Sequence, residues 1–204
     1  VILRNVFENP AWYTSYTPYQ AEISQGRLEA LFNYQTLITE LTGLPVANAS
    51  LLDEGTAAAE AMLLAHSQSK KKDFIVDDKI FPQTLEVLQT RAKPLGINIV
   101  KVDLEELVDL ESLENAFGLV IQYPNNHGAL KYHDGFLRCA EAYKCMKIAI
   151  VDPLCQVLMQ PVGEMGFDIA VGSMQRFGVP MGFGGPHAAF FAITDKYKRK
   201  IPGR

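Results

Sequence analysis

The chain has 204 residues, 48% of them hydrophobic and 21% charged, with 19 Lys plus Arg against 23 Asp plus Glu and a formal net charge of −4. This balance excludes wholesale disorder, and without a basic excess it argues against a general nucleic-acid binder. A chain of this length buries roughly 70% of its unfolded surface, so it needs no metal or disulfide staple, and one domain is the simplest expectation.

No run of about 18 apolar residues occurs, so no membrane span is expected. The start, Val1-Ile2-Leu3-Arg4-Asn5, lacks the basic and long apolar regions of a signal peptide, and it lacks an initiator Met, as in a chain processed or cut from something longer. Cys139, Cys145 and Cys155 have no metal-ligand spacing and read as reduced thiols filling small core positions.

In chain order, the stretch to about residue 23 reads as irregular. It holds Pro10 and Pro18 and crowds Trp12, Tyr13, Tyr16 and Tyr19 together. Leu28, Leu31, Ile38 and Leu41, with Phe32 flanking, recur at helical spacing; Ser24 can cap this helix, and Gly43 and Pro45 end it. A second helix begins near Asp53, runs through Ala57, Ala58, Ala59, Ala61 and Met62, and closes in the polar run 67–73. An alternation follows. Strands are expected at 74–76, 97–102, 119–123, 148–151 and 169–171, and helices at 83–92, 104–116 and 136–143. Short β-branched runs separated by helices of this length argue for βαβ units and a parallel sheet. The last strand, 188–193, follows a Gly-rich loop too short for a helical crossover, so it is expected to run antiparallel.

Ligands of open α/β sheets bind beyond the carboxyl ends of the strands. Here those ends are Asp77-Asp78, Asp103, Tyr123-Pro124-Asn125-Asn126-His127, Asp152-Pro153 and Gly172-Ser173-Met174-Gln175. They are polar enough for an active-site rim, and equally for ordinary solvated loops. The segment Asn48 to Thr56 opens the Ala-rich helix, whose free N–H groups offer a seat for a phosphate. An Asp-capped helix packed through small residues fits the pattern better, because Asp53 and Glu54 would compete with a phosphate.

The loop Gly178 to His187 holds four glycines. It does not have the dinucleotide spacing G-x-G-x-x-G, and it reads either as a close approach to a ligand or as a plain turn. His66, His127, His133 and His187 show no metal-binding pairing, and no nucleophile motif occurs. The run Lys196 to Lys200 reads as a solvated face.

Three long stretches carry more than pattern: Tyr13 to Arg27 (YTSYTPYQAEISQGR), Asn48 to Ala61 (NASLLDEGTAAAEA) and Gly172 to His187 (GSMQRFGVPMGFGGPH). In this order they resemble the glycine dehydrogenase (decarboxylating) family, the pyridoxal-phosphate component of the glycine cleavage system. The resemblance runs over essentially the whole chain and points to part of the family's amino-terminal half, beginning after the family's own start and stopping where its pattern continues.

It implies an α/β fold with helices on both faces of a mostly parallel seven-stranded sheet, the truncated large domain of the aspartate-aminotransferase type (pyridoxal-phosphate fold type I). Residues 1–23 would form an aromatic arm and 24–204 the non-catalytic large domain. The family's catalytic unit is the carboxyl-terminal one, which carries a His-Lys pair before a Pro/Gly-rich loop, the lysine forming the Schiff base. Laying 180–186 on that loop puts Met174-Gln175 at the His-Lys position, and an amide cannot form an imine.

Asp152 falls where such folds pair a carboxylate with the ring nitrogen. Gly55 and Thr56 fall at the phosphate seat, both contacts weak or vestigial, so little or no cofactor binding by this piece alone is expected. The resemblance also places Tyr16, Tyr19 and Gln20 at the junction with the catalytic unit, either reaching its active site or clasping the arm to its own domain.

The family's activity is decarboxylation of glycine with pyridoxal phosphate and transfer of the aminomethyl group to the lipoyl arm of the H-protein. The implied partners are the catalytic half, the lipoylated H-protein and further copies in a homo- or hetero-oligomer, with neither nucleic acid nor membrane. The implied compartment is the bacterial cytoplasm or the mitochondrial matrix. The alternative is a structural module that only buttresses the catalytic half or forms the dimer surface. A free-standing nucleotide-binding protein is disfavoured by the missing Gly-rich βα turn.

Overall fold

The computed structural model describes residues 1–10, 22, 25–104, 113–179, 181–184 and 187–202. Helices α1 (Gln25–Thr42), α2 (Glu54–Ser67), α3 (Pro82–Ala92), α4 (Asp134–Ala142) and α5 (Pro153–Leu158) surround a sheet of strands β1 (Val46–Ala47), β2 (Asp73–Asp77), β3 (Asn98–Val102), β4 (Ala116–Tyr123), β5 (Met146–Val151), β6 (Ile169–Ser173) and β7 (Ala189–Ile193). The spatial order is β1-β7-β6-β5-β4-β2-β3. Strands β2 to β6 pair in parallel, and β7 runs antiparallel to both β6 and β1.

The central strands are apolar runs because both faces are covered: every residue of β4 and β5 is buried. Side-chain alternation divides the core. Val120, Ile148, Ile150, Ile169 and Val171 pack on one face with the alanines and Met62 of α2. Leu119, Ile121, Ala149, Val151 and Ala170 face the other way, toward Ile38 of α1 and Leu137 and Ala140 of α4. The small side chains of α2 let its axis lie close to the sheet. Its start is fixed by Asp53, whose carboxylate accepts the Thr56 N–H at 2.8 Å and the Thr56 hydroxyl at 2.8 Å.

The order and type of the main elements follow the hydrophobic pattern, including the antiparallel last strand. Five details differ. Leu3–Phe7 is a wide π-type helical turn rather than an irregular stretch, with the Glu8 N–H donating to the Leu3 carbonyl at 2.9 Å. The helix expected over 104–116 runs past its end, since Ala116 already opens β4 and is fully buried; residues 105–112 lie outside the described part, as does the expected cap Ser24. Strand β1 was not foreseen, because two residues carry no periodicity. Helix α5 was not foreseen either, being only six residues long. Phe32, placed beside the apolar stripe of α1, is 67% exposed.

Candidate active-site cleft

Parallel strands that end together leave an opening at their carboxyl edge, and the alternation of side chains decides which residues face it. Gln122 at the end of β4, Asp152 just after β5 and Ser173 at the end of β6 share the parity of the α2-facing core residues. They line one side of an open cleft of about 670 Å³, with Glu54 at the first position of α2 and Phe81, Pro124 and Met181 supplying apolar wall. After β6 the chain turns through a 3₁₀ segment, Met174–Phe177, which places Gln175 and Arg176 on the rim. Gly178 ends that turn with a positive φ of 115°, a conformation that favours glycine.

The polar groups are coupled. Asp152 uses one carboxylate oxygen to cap α5, accepting the Leu154 N–H at 3.0 Å. Its other oxygen faces the Arg176 guanidinium at 3.1 Å. Glu54 is half-buried at the cleft wall, and its pKa rises from 4.5 to about 7. Burial is the main cause, followed by the negative charges of Asp152 and Asp53, while the Gln122 amide hydrogen-bonds the carboxylate and pulls the value back. Gln122 itself is 4% exposed, and its side-chain carbonyl oxygen has no hydrogen-bond partner.

Several residues singled out in the sequence meet here: Asp152, Gln175, Ser173, Asn125 and Asn126 all line the cleft. Other strand ends do not. Asp77 is 3% exposed and accepts the Lys79 N–H at 3.2 Å, and Asp103 pairs with the Lys79 ammonium at 2.9 Å.

Gly55 and Thr56 also have other roles in this geometry. A Cβ on Gly55 would stand 3.2 Å from Val87 of α3, so the glycine permits close helix packing rather than approach to a ligand. The amide and hydroxyl of Thr56 are taken by Asp53, so the chain's own carboxylate already sits at the phosphate seat. Tyr16, Tyr19 and Gln20 lie outside the described residues.

Sequence reasoning passed over Gln122 and Arg176 as site residues. Gln122 had a legible signal: one amide in an otherwise apolar and aromatic strand. Arg176 had none, because its meeting with Asp152 depends on how β5 and β6 lie side by side.

Pyridoxal phosphate, the group the fold implies, needs an amine for covalent attachment and a free carboxylate for its ring nitrogen. No lysine lines the cleft among the described residues, Gln175 offers an amide, and Asp152 is already engaged by a guanidinium. These residues do not fit pyridoxal phosphate as a covalently held group. Among the described residues, no cluster of three or more His, Cys, Asp or Glu could hold a metal ion, and no helix is long and apolar enough to cross a membrane.

A mostly parallel seven-stranded sheet with a cleft at its carboxyl edge is the large-domain architecture of pyridoxal-phosphate enzymes of fold type I. Solved structures share it. One is a putative O-acetylhomoserine (thiol)-lyase from Campylobacter jejuni (TM-score 0.65, 15% identity, covering 93% of this chain and 49% of that one). Another is cystathionine gamma-lyase from Lactobacillus plantarum (TM-score 0.61, 16% identity, covering 82% and 43%).

Within that class, the chain belongs to the glycine cleavage system P-protein family, whose model it matches over residues 1–204. It is 62% identical over 207 residues to glycine dehydrogenase (decarboxylating) of Prochlorococcus marinus, covering 100% of this chain and 21% of that protein. It is 57% identical over 206 residues to the Aliivibrio salmonicida enzyme, with the same coverage. A crystal structure of glycine decarboxylase (P-protein) of the glycine cleavage system, in inhibitor-bound form, superposes with a TM-score of 0.92 at 38% identity, covering 100% of this chain and 47% of that one. The chain thus spans about a fifth of the length of the curated relatives it matches.

Proposed function

We propose that this chain is a non-catalytic part of a glycine dehydrogenase that decarboxylates glycine with pyridoxal phosphate and passes the aminomethyl group to the lipoyl arm of the H-protein. In that enzyme the cofactor serves as the electron sink, held by a lysine in a separate catalytic half. The observation that carries this reading is the rim after β6. No described residue lining the cleft supplies an amine, and Gln175 on that rim offers only an amide.

The role left to this chain is to shape and shield. The aromatic segment with Tyr16, Tyr19 and Gln20 reaches the active site of the catalytic half. Exposed apolar side chains on α5 and around the cleft mouth support a covered surface there: Val157 is 59% exposed, Leu158 85% and Met181 78%. The same surface favours a second reading, in which the domain only buttresses the catalytic half or forms the dimer contact. Replacing Tyr16 or Tyr19 with Ala in the intact enzyme separates the two, since a pure buttress leaves decarboxylation rate and cofactor affinity unchanged.

The main reading is tested by incubating the chain with pyridoxal phosphate, reducing with borohydride and mapping adducts by mass spectrometry. No pyridoxyl-lysine at the cleft and no carbon dioxide released from glycine are expected. A pyridoxyl-lysine bordering the cleft, or decarboxylation by this chain alone, overturns it.

A further inference from the structure

The amino edge of the sheet carries a charge imbalance of its own. Three segments meet there: 66–72 at the end of α2, 143–147 between α4 and β5, and 195–200 after β7. They hold nine of the chain's 19 Lys and Arg and only one of its 23 acids, in a chain of net charge −4. Two contacts join them. The Lys71 ammonium donates to the Tyr143 carbonyl at 2.9 Å, and the Lys200 ammonium donates to the Gln68 side-chain oxygen. Between the three segments lies a hollow of about 520 Å³, walled by Gln68, Ser69, Lys144, Lys196 and Tyr197.

The two acids that border this hollow, Glu141 and Asp168, are already engaged. The Asp168 carboxylate accepts the Lys147 N–H at 2.9 Å, and Glu141 faces the Lys147 ammonium at 3.5 Å. Among the described residues, one further cation of the three segments has a carboxylate within ion-pair distance: Lys198, with Asp195 at 2.9 Å. Lys144 and Lys196 at the hollow, and Lys71 and Lys200 beside it, have no carboxylate in ion-pair contact among the described residues.

Lys144 is held there at a conformational cost. Helix α4 ends in a turn in which the Cys145 N–H donates to the Ala140 carbonyl at 2.8 Å and the Lys144 N–H to the Glu141 carbonyl at 3.0 Å, and Lys144 takes a φ of 57°. That position of a helix end favours glycine. The chain places an ammonium there instead, at the wall of the hollow.

An exposed ammonium gains little from a single contact in water, so a singly charged ion would be held poorly. A compact ligand with several negative charges meets several ammoniums at once. No arginine lines the hollow. Lysine ammoniums act as point charges and suit tetrahedral phosphate, whereas planar carboxylates are matched by the guanidinium fork. The Ser69 hydroxyl accepts the Lys71 N–H at 3.1 Å and keeps its own proton for a phosphate oxygen.

We propose that this hollow is a binding site for a small anion with linked phosphate groups, inorganic triphosphate or a nucleoside triphosphate, held by Lys144 and Lys196 with Lys71 and Lys200 at its rim. It lies across the sheet from the carboxyl-edge cleft, so it stands or falls independently of what that cleft holds.

The test is isothermal titration of the chain with inorganic triphosphate, ATP and inorganic monophosphate, at low and at raised salt. Triphosphate is expected to bind at one site per chain, at least about tenfold tighter than monophosphate, and to weaken as salt screens the ammoniums. ATP bound as tightly as triphosphate supports a site that reads phosphates alone, and ATP bound more tightly supports a nucleotide as its ligand. Lys144→Gly removes the ammonium from a position that favours glycine. It should keep or raise the midpoint of urea unfolding while weakening triphosphate binding about threefold to tenfold. Lys144→Gly combined with Lys196→Met should leave no saturable binding. Lys101→Met, which removes one exposed charge from the edge strand β3, should leave binding unchanged. No heat with triphosphate, monophosphate bound as tightly, binding untouched in the double variant, or a loss with Lys101→Met equal to that with Lys144→Gly overturns the proposal.

Discussion

The two edges of the sheet make opposite use of buried charge. At the amino edge a hollow of about 520 Å³ gathers Lys144, Lys147, Asp168 and Lys196. Its buried groups are matched. The Lys147 N–H donates to the Asp168 carboxylate at 2.9 Å, the Asp168 N–H returns to the Lys147 carbonyl at 2.8 Å, and the Lys147 ammonium faces Glu141 at 3.5 Å. Burial raises the Asp168 pKa, and the Lys147 N–H and charge lower it.

None of the residues with an orphaned buried polar atom among the described residues lines that hollow, whereas Gln122, which lines the carboxyl-edge cleft, has a buried side-chain oxygen without a partner. Buried charge that is fully paired locks strands β5 and β6 in register. Buried polarity left without a partner is a cost that the rest of the fold offsets. The difference lies not in how much charge each edge carries but in whether the fold itself supplies the partner.

The contrast breaks most completely if the sheet that separates the two edges is spread. A Cβ on Gly172, the fourth of the five residues of β6, would stand 2.1 Å from the Val151 carbonyl oxygen and 2.7 Å from the Phe190 ring. Backbone cannot yield there, so Gly172→Ala is expected to cost more than about 4 kcal/mol, read as loss of the cooperative urea transition. An unchanged midpoint would contradict the close strand packing described here.

The matched edge is probed by Asp168→Ala, which strands the buried Lys147 N–H. A loss of about 1–3 kcal/mol is expected in denaturant melts, and Asp168→Asn, which keeps an acceptor, should recover part of it. Equal stability of all three chains would mean that the pairing contributes nothing.

The open edge predicts the opposite sign. The native state raises the Glu54 pKa from 4.5 to about 7 and therefore binds more protons than the unfolded chain between those values. Its contribution to stability is then present at low pH and declines as pH rises through that window. Glu54→Gln is expected to remove that decline and to raise stability at pH 8 by about 1–2 kcal/mol, the full shift being discounted for partial exposure. Parallel pH–stability curves for the two chains would show that Glu54 is not held out of solvent.

Much of this arrangement could be read before the fold was known. The strand runs at 74–76, 148–151 and 169–171 are apolar throughout because both of their faces are covered, and that is a local property of composition. Asp53 announced the start of α2 because a capping carboxylate acts over three residues. Asp152 and Gln175 stood out as strand-end residues, and both line the cleft.

What stayed hidden was of two kinds. Elements too short to repeat, such as β1 and α5, carry no period. Pairings such as Arg176 with Asp152 join residues 24 positions apart across β5 and β6, and no local pattern encodes them. Thr56 and Gly55 illustrate the converse: their types suit a phosphate seat, but the partners they meet, Asp53 and Val87, give them structural work.

The linear chain by itself determined its class of architecture, the polarity of its strand ends and the amide of Gln175 after β6, since these depend only on residue type and short-range spacing. Tertiary structure alone decided that Gln122 would lose its water, that Glu54 would titrate near neutrality and that Arg176 would neutralise Asp152. Those outcomes arise from desolvation and distance between segments, quantities that exist only once the strands lie side by side.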